Sequence, residues 1–148
     1  MLHLYSDGRY VVWCEAQPAG LNLVNPTMHL YDRTAQTDVT WTMPPATIDN
    51  AAEPSRFPPL SVLVAEDQVY MEAVTGMSAE GGIRSSVYRY GIRSGTLELC
   101  AADAAKPYRT ADGTAGWCAL SYEDSRVTGI RRTDRNGAER GVVDPSVV

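Results

Sequence analysis

Apolar residues along this chain come in short runs separated by polar turns, with no helical spacing to match. From Arg9 to Ala16 both alternating faces are apolar, Tyr10, Val12 and Cys14 on one and Val11 and Trp13 on the other, which predicts a strand covered on both sides. The turn pair Asp7-Gly8 separates it from a short apolar stretch, Leu2 to Tyr5. After a polar connection from Gln17 to Pro26, the chain resumes at Met28 to Tyr31. It turns through Asp32 to Gln36 and leaves along Thr37 to Trp41, which reads as a hairpin.

The same order then recurs. Leu60 to Ala65, a turn at Glu66-Asp67, Gln68 to Val74, Ser85 to Tyr90 and Thr96 to Cys100 form a second unit, with Thr75 to Arg84 in the place of the Gln17 to Pro26 connection. Val11-Val12-Trp13, Val69-Tyr70-Met71 and Val127-Thr128-Gly129 mark the period, 69 − 11 = 58 and 127 − 69 = 58. A second pair of anchors, Tyr31 to Thr37 and Tyr90 to Thr96, is offset by 90 − 31 = 59. The third unit is expected to begin with Trp117 to Tyr122, turn at Glu123-Asp124, continue through Ser125 to Arg132, turn at Asn136-Gly137 and end at Glu139 to Val143 without a fourth strand.

A fixed period in this range marks repeat architectures, and four short antiparallel strands per repeat is the propeller-blade pattern. The expected fold is therefore all-β, a single domain over residues 1–148 with about two and a half blades at 1–44, 60–101 and 115–148. Pro44 to Pro59 and Ala101 to Ala115 are expected as crossover loops. A β-trefoil would need about 49 residues per unit (148/3) and fits poorly. A β-sandwich is the alternative, although it would not repeat itself.

Composition narrows the partners. The formal net charge of −5 gives no basic footprint for nucleic acid or an anionic membrane surface. Twelve Arg stand against a single Lys, Lys106, but they are scattered, with only Arg131-Arg132 adjacent. No apolar run approaches the ~20 residues of a membrane helix, and the N-terminus carries no signal-peptide pattern. As written the chain is expected in the cytoplasm, or in the cell envelope or outside if it is a segment of something longer. Cys14, Cys100 and Cys118 lack metal or disulfide spacing and are expected as buried small residues.

Motifs for catalysis are missing: there is no G-x-S-x-G, phosphate loop or H-E-x-x-H, and His3 and His29 read as strand residues. Asp134-Arg135-Asn136-Gly137 reads as a hairpin turn rather than a calcium loop. Neither a metal nor another cofactor is expected. The acids Glu66, Asp67, Glu123 and Asp124 are placed at equivalent first turns, matched by Asp7, where carboxylates bond backbone amides. If they instead faced one cleft, glycosidase-like chemistry would follow. Tyr5, Trp117 and Tyr122, near first strands and loop ends, are the aromatics expected to serve recognition. With the four acids they make up the candidate ligand-binding set.

The run Asp7-Gly8-Arg9-Tyr10-Val11-Val12-Trp13, followed by Met28-His29-Leu30-Tyr31-Asp32-Arg33, resembles the repeat of TolB-like (WD40-like) propellers. The resemblance covers residues 2 to 100 well and the first half of the third unit. It departs at Gly91 and at Ala35-Gln36. It implies a binding or scaffold role, with a propeller hydrolase acting on sugars or peptides as the alternative. Because two and a half blades cannot close a ring, the expected partner is a protein or a second copy, engaged through open blade edges.

Overall fold

The computed structural model describes residues 1–19, 22–49, 51–54, 57–77, 82–123, 126–136 and 139–143. Fourteen strands and no helix occur among them. The first sheet is a meander of β1 (Leu2–Ser6), β2 (Tyr10–Ala19), β3 (Asn22–Asp32) and β4 (Thr37–Thr42), in that spatial order. The expected Gln17 to Pro26 connection is largely ladder: Gln17 pairs with Val24 and Pro18 with Leu23. A bulge after Glu15 carries the register past Pro18, and Leu23 and Val24 are strand formers.

β5 (Ala46–Ile48) and β6 (Ala51–Glu53) form a small hairpin inside the stretch expected as a crossover loop. The second meander, β7 (Ser61–Ala65), β8 (Gln68–Met77), β9 (Ile83–Gly91) and β10 (Leu97–Ala102), matches the expected strands closely. One edge of β8 is shared, antiparallel β7 along its first half and parallel β5 at Gly76 and Met77.

The third sheet corrects the sequence reading. β11 (Ala104–Arg109), β12 (Ala115–Glu123), β13 (Arg126–Asp134) and β14 (Glu139–Val143) make a complete four-stranded meander. Its first strand lies in the expected loop Ala101 to Ala115, and Trp117 to Tyr122 belongs to the second strand. Tyr10 pairs with Asp32, Gln68 with Gly91 and Gly116 with Asp134, so these are the equivalent positions. The spacings are 68 − 10 = 58 and 116 − 68 = 48. The triplet at Val127 sits in β13, and its match to the 58-residue period is a coincidence.

The sheets stack in chain order. Sheet one places Tyr10, Val12, Cys14, Met28, Leu30 and Trp41 against Val69, Met71, Ala73 and Tyr90 of sheet two. The Trp41 and Tyr90 rings lie parallel with centroids 4.1 Å apart. Alternation along β8 sends Tyr70 the other way, to meet Ala104, Ala115 and Trp117 of sheet three. Sheet two is thus apolar on both faces, as the absence of a polar alternation in Gln68 to Val74 requires. The first strands are neighbours, β1 beside β7 and β7 beside β11.

Candidate functional site

Stacking three meanders in one sense gathers the β1–β2, β7–β8 and β11–β12 turns, and the third-to-fourth-strand turns, at one end of the molecule. An acid stands in each of them except the β9–β10 turn, which runs Ile92-Arg93-Ser94-Gly95-Thr96. Asp7 accepts the amides of Arg9 at 2.7 Å and Tyr10 at 2.6 Å, and Asp32 those of Thr34 and Ala35 at 3.0 and 3.1 Å. Asp112 accepts the Thr114 amide and hydroxyl. Glu66 and Asp67 both have positive φ, 53° and 59°, which suits a two-residue hairpin connection.

Where the first strands converge, Arg109 of β11 reaches across the other two. Its Nη2 donates to the Val64 carbonyl of β7 at 2.6 Å and lies 3.4 Å from the Tyr5 hydroxyl of β1. That hydroxyl donates to Asp7 Oδ2 at 2.7 Å. Around this line stand further cross-sheet links: Tyr10 to Asp67 at 3.2 Å, and Arg135 to Glu66. Arg9 grips Asp32 with two bonds of 3.0 and 3.1 Å. Beside them a cleft of about 550 Å³ is lined by Tyr108, Arg109, Asp112, Arg132 and Arg135.

Burial pushes the Tyr5 phenol up, and the Asp7 carboxylate adds to the shift. Burial would raise Asp7 too, but the Tyr10 amide, the Tyr5 hydroxyl and the Arg9 amide together hold it below the usual carboxylate range. Hydrogen bonds from Thr110 and Thr114 pull Asp112 down to about 2. At neutral pH this end is therefore a fixed lattice of alternating charges. It offers hydrogen-bonding groups in set positions.

Of the expected site residues, Tyr5, Glu66 and Asp67 come together at this end. Trp117 does not: it is buried between sheets two and three, its ring 6.4 Å from that of Tyr70. Tyr122 lies towards the far end of β12, half-buried under the Arg84 guanidinium at 4.2 Å. Glu123 ends β12 at its β13 connection, so it is not equivalent to Glu66-Asp67. Nine residues of strand at ~3.3 Å each separate it from the charged end. Asp124 lies outside the described residues. Carboxylates at opposite ends of the sheets cannot share the glycosidic cleft that paired catalysis needs.

Sequence reasoning missed Asp7 as more than a turn former, and it missed Arg109, Asp112 and Arg135. One signal was present: Asp112-Gly113 repeats Asp7-Gly8 in the first turn of its sheet, with Gly113 at φ 85°. Cys14 and Cys118 are buried and Cys100 is half-buried; burial raises the Cys100 thiol to about 11, so it stays protonated and unreactive. Among the described residues no helix is long and apolar enough to cross a membrane. No protein-family model matches the chain, and no curated protein and no solved structure matches it either.

Proposed function

We propose that this chain is a propeller-type module of three blades, a binding or scaffold element that meets its partner at the end where the first strands converge. The observation that carries the reading is the serial stacking. Each four-stranded meander is completed before the chain moves on, the β5–β6 hairpin adding only to the edge of the second, and the first strands lie side by side. A sandwich would cross between its sheets by Greek-key connections instead. In propellers the first strands surround the axis, so polar groups on them, here Tyr5 and Arg109, face the place where ligands enter. The fixed charges suit recognition of a polar peptide segment. The alternative, a hydrolase segment, keeps only the adjacent Glu66 and Asp67, Glu66 tied to Arg135 of sheet three and Asp67 to Arg93 of its own sheet.

Panning a random peptide library against the purified chain tests this reading. Binders should lose at least tenfold in affinity for the Tyr5→Phe and Arg109→Gln variants at unchanged far-UV circular dichroism. Binders indifferent to both variants would move the site elsewhere. Release of product from aryl glycosides or peptides, abolished in Glu66→Gln or Asp67→Asn, would establish the hydrolase instead.

A further inference from the structure

We propose that the cleft at the turn end of sheet three takes a carboxylate, the acidic side chain of a peptide ligand, between the guanidinium groups of Arg109 and Arg132. The inference rests on the binding-module reading above and adds the chemical class of the ligand.

Arg9, Arg84, Arg89, Arg93 and Arg135 are each answered by a carboxylate of this chain. Arg109 and Arg132, which line one cleft, are held by neutral groups instead. The contacts of Arg109 with the Val64 carbonyl and the Tyr5 hydroxyl both use Nη2, so among the described residues its Nε and Nη1 hydrogens have no acceptor. The guanidinium of Arg132 lies over the Tyr108 ring, 4.5 Å from its centroid, and makes no hydrogen bond or ion pair with a described residue.

Holding Arg132 there requires a glycine. A Cβ at Gly116 would run into the Tyr108 ring and the Thr133 carbonyl. Without one, Tyr108 reaches across β12 and donates its hydroxyl to that carbonyl at 2.8 Å, which fixes the ring under Arg132. Anchored in this way, the two guanidiniums lose little side-chain freedom when a ligand arrives. A carboxylate is the group whose paired oxygens match such planar donors.

Two acids in the lining say which anion fits. Asp112 is engaged by the Thr110 and Thr114 hydroxyls and the Thr114 amide. Asp134, on the same side of β13 as Arg132, accepts the Asn136 amide at 2.9 Å. Arg135 is already balanced by Glu66. A monoanion can draw on both remaining guanidiniums, whereas the second charge of a phosphate would meet Asp112 and Asp134 with nothing left to balance it. At about 550 Å³ the cleft has room for a side chain and its flanking backbone. The chain as a whole carries a formal charge of −5, so an acidic peptide that binds does so through this local arrangement and not through overall attraction.

The probes are acetylated and amidated octapeptides in which Gly alternates with Glu, with Gln or with phosphoserine, titrated into the isotope-labelled whole chain and followed by NMR. The Glu peptide should bind at least about tenfold more tightly than the Gln peptide, the worth of one charge-assisted hydrogen bond. It should move the Nε–Hε signals of Arg109 and Arg132 and weaken with added salt. Arg132→Gln should erase the preference at unchanged far-UV circular dichroism. Arg131→Gln, which removes the same charge from the other side of β13, should leave it intact. Equal binding of the Glu and Gln peptides, no binding of either, the same loss in both variants or a tighter phosphoserine peptide would overturn the inference. Peptides selected from the random library separate it from the reading beneath it. If they need Tyr5 and Arg109 but neither an acid of their own nor Arg132, only the carboxylate falls; if they ignore Tyr5 and Arg109, the site of the module falls with it.

Discussion

The two seams between sheets do the same job with different materials. The first is filled by large side chains shared evenly, Met28, Leu30, Trp41, Met71 and Tyr90 among them, and is apolar throughout. The second is built largely from alanines, Ala65, Ala104 and Ala115, around two aromatic rings, and is threaded by polar links. Glu72, only 7% exposed, accepts the Lys106 amide at 2.7 Å, and the Ser85 hydroxyl donates to the Ala104 carbonyl at 3.2 Å. The connections explain the difference. Sheets one and two are joined through residues 43–60, long enough to let bulky faces find their own distance. Sheets two and three are joined by Asp103 alone, in the left-handed region at φ 49°, so β11 is drawn close and small residues line it. Close approach brings backbone polar groups of β11 into the seam, and side chains of sheet two must satisfy them.

If volume in the second seam is concentrated in Trp117, truncating it should cost most. Trp117→Ala is expected to destabilise the chain by about 3–5 kcal/mol, the range for aromatic truncation in a core. Leu30→Ala in the first seam should cost less, about 2–3 kcal/mol, because its many large neighbours can partly close the gap. Urea unfolding of both variants decides the matter. A larger loss for Leu30→Ala would mean that the two seams are not concentrated and distributed in the way their composition indicates.

The next contrast is with pH. Burial raises the Glu72 carboxyl above its ordinary value, more than the Lys106 amide can lower it. The folded state therefore holds its proton to higher pH than the unfolded chain does, and stability falls as pH rises through the window that opens at the unfolded value, near 4.5. Glu72→Gln keeps an acceptor for Lys106 and removes the buried charge. It should raise stability at pH 7 by about 1 kcal/mol, or a Tm increase of about 2–4 °C, and change little near pH 4. The buried carboxylate at the turn end of the first seam, Asp32, is shifted the other way, held below the usual range by the Arg9 guanidinium, so what it contributes is lost as pH falls rather than as pH rises. A Tm gain from Glu72→Gln that is the same at both pH values would remove charge as the cause.

These differences bear on what the sequence could reveal. The first two sheets were legible because Val11 to Trp13 and Val69 to Met71 lie in strands apolar on both faces, and aromatic and β-branched residues announce such strands. The third was misphased because β11, Ala-Ala-Lys-Pro-Tyr-Arg, carries almost none of those residues and contains Pro107. A proline is acceptable in a strand only at an edge or a bulge, and the register of β11 does shift between Ala105 and Tyr108. The alanines that hide the strand in the sequence are the ones that let it sit close in the structure. The turn at Glu66-Asp67 was legible because a turn's own chemistry locates it, and Tyr5 falls on the first strand as its short apolar run indicated. Arg109 was not, since nothing in a lone arginine at the end of an unrecognised strand says that it spans two others.

The smallest expected effect concerns whether the polar links of the second seam act together. Ser85→Ala removes one hydrogen bond to Ala104 and leaves that bond's share of the carbonyl unfilled, which should cost about 0.5–1.5 kcal/mol. Ala104 and Lys106 are two residues apart on β11, Lys106 within the bulge between Ala105 and Tyr108, so Ser85 and Glu72 hold one short segment at two points. If the segment moves as a unit, loosening either point lets the other bond relax. Ser85→Ala in a Glu72→Gln background should then differ from the sum of the single changes by about 0.5 kcal/mol or more. Additivity within the error of the unfolding midpoints would mean that β11 is positioned by packing against Tyr70 and Trp117, with its polar links acting separately. The second seam would then resemble the first in kind and differ from it only in volume.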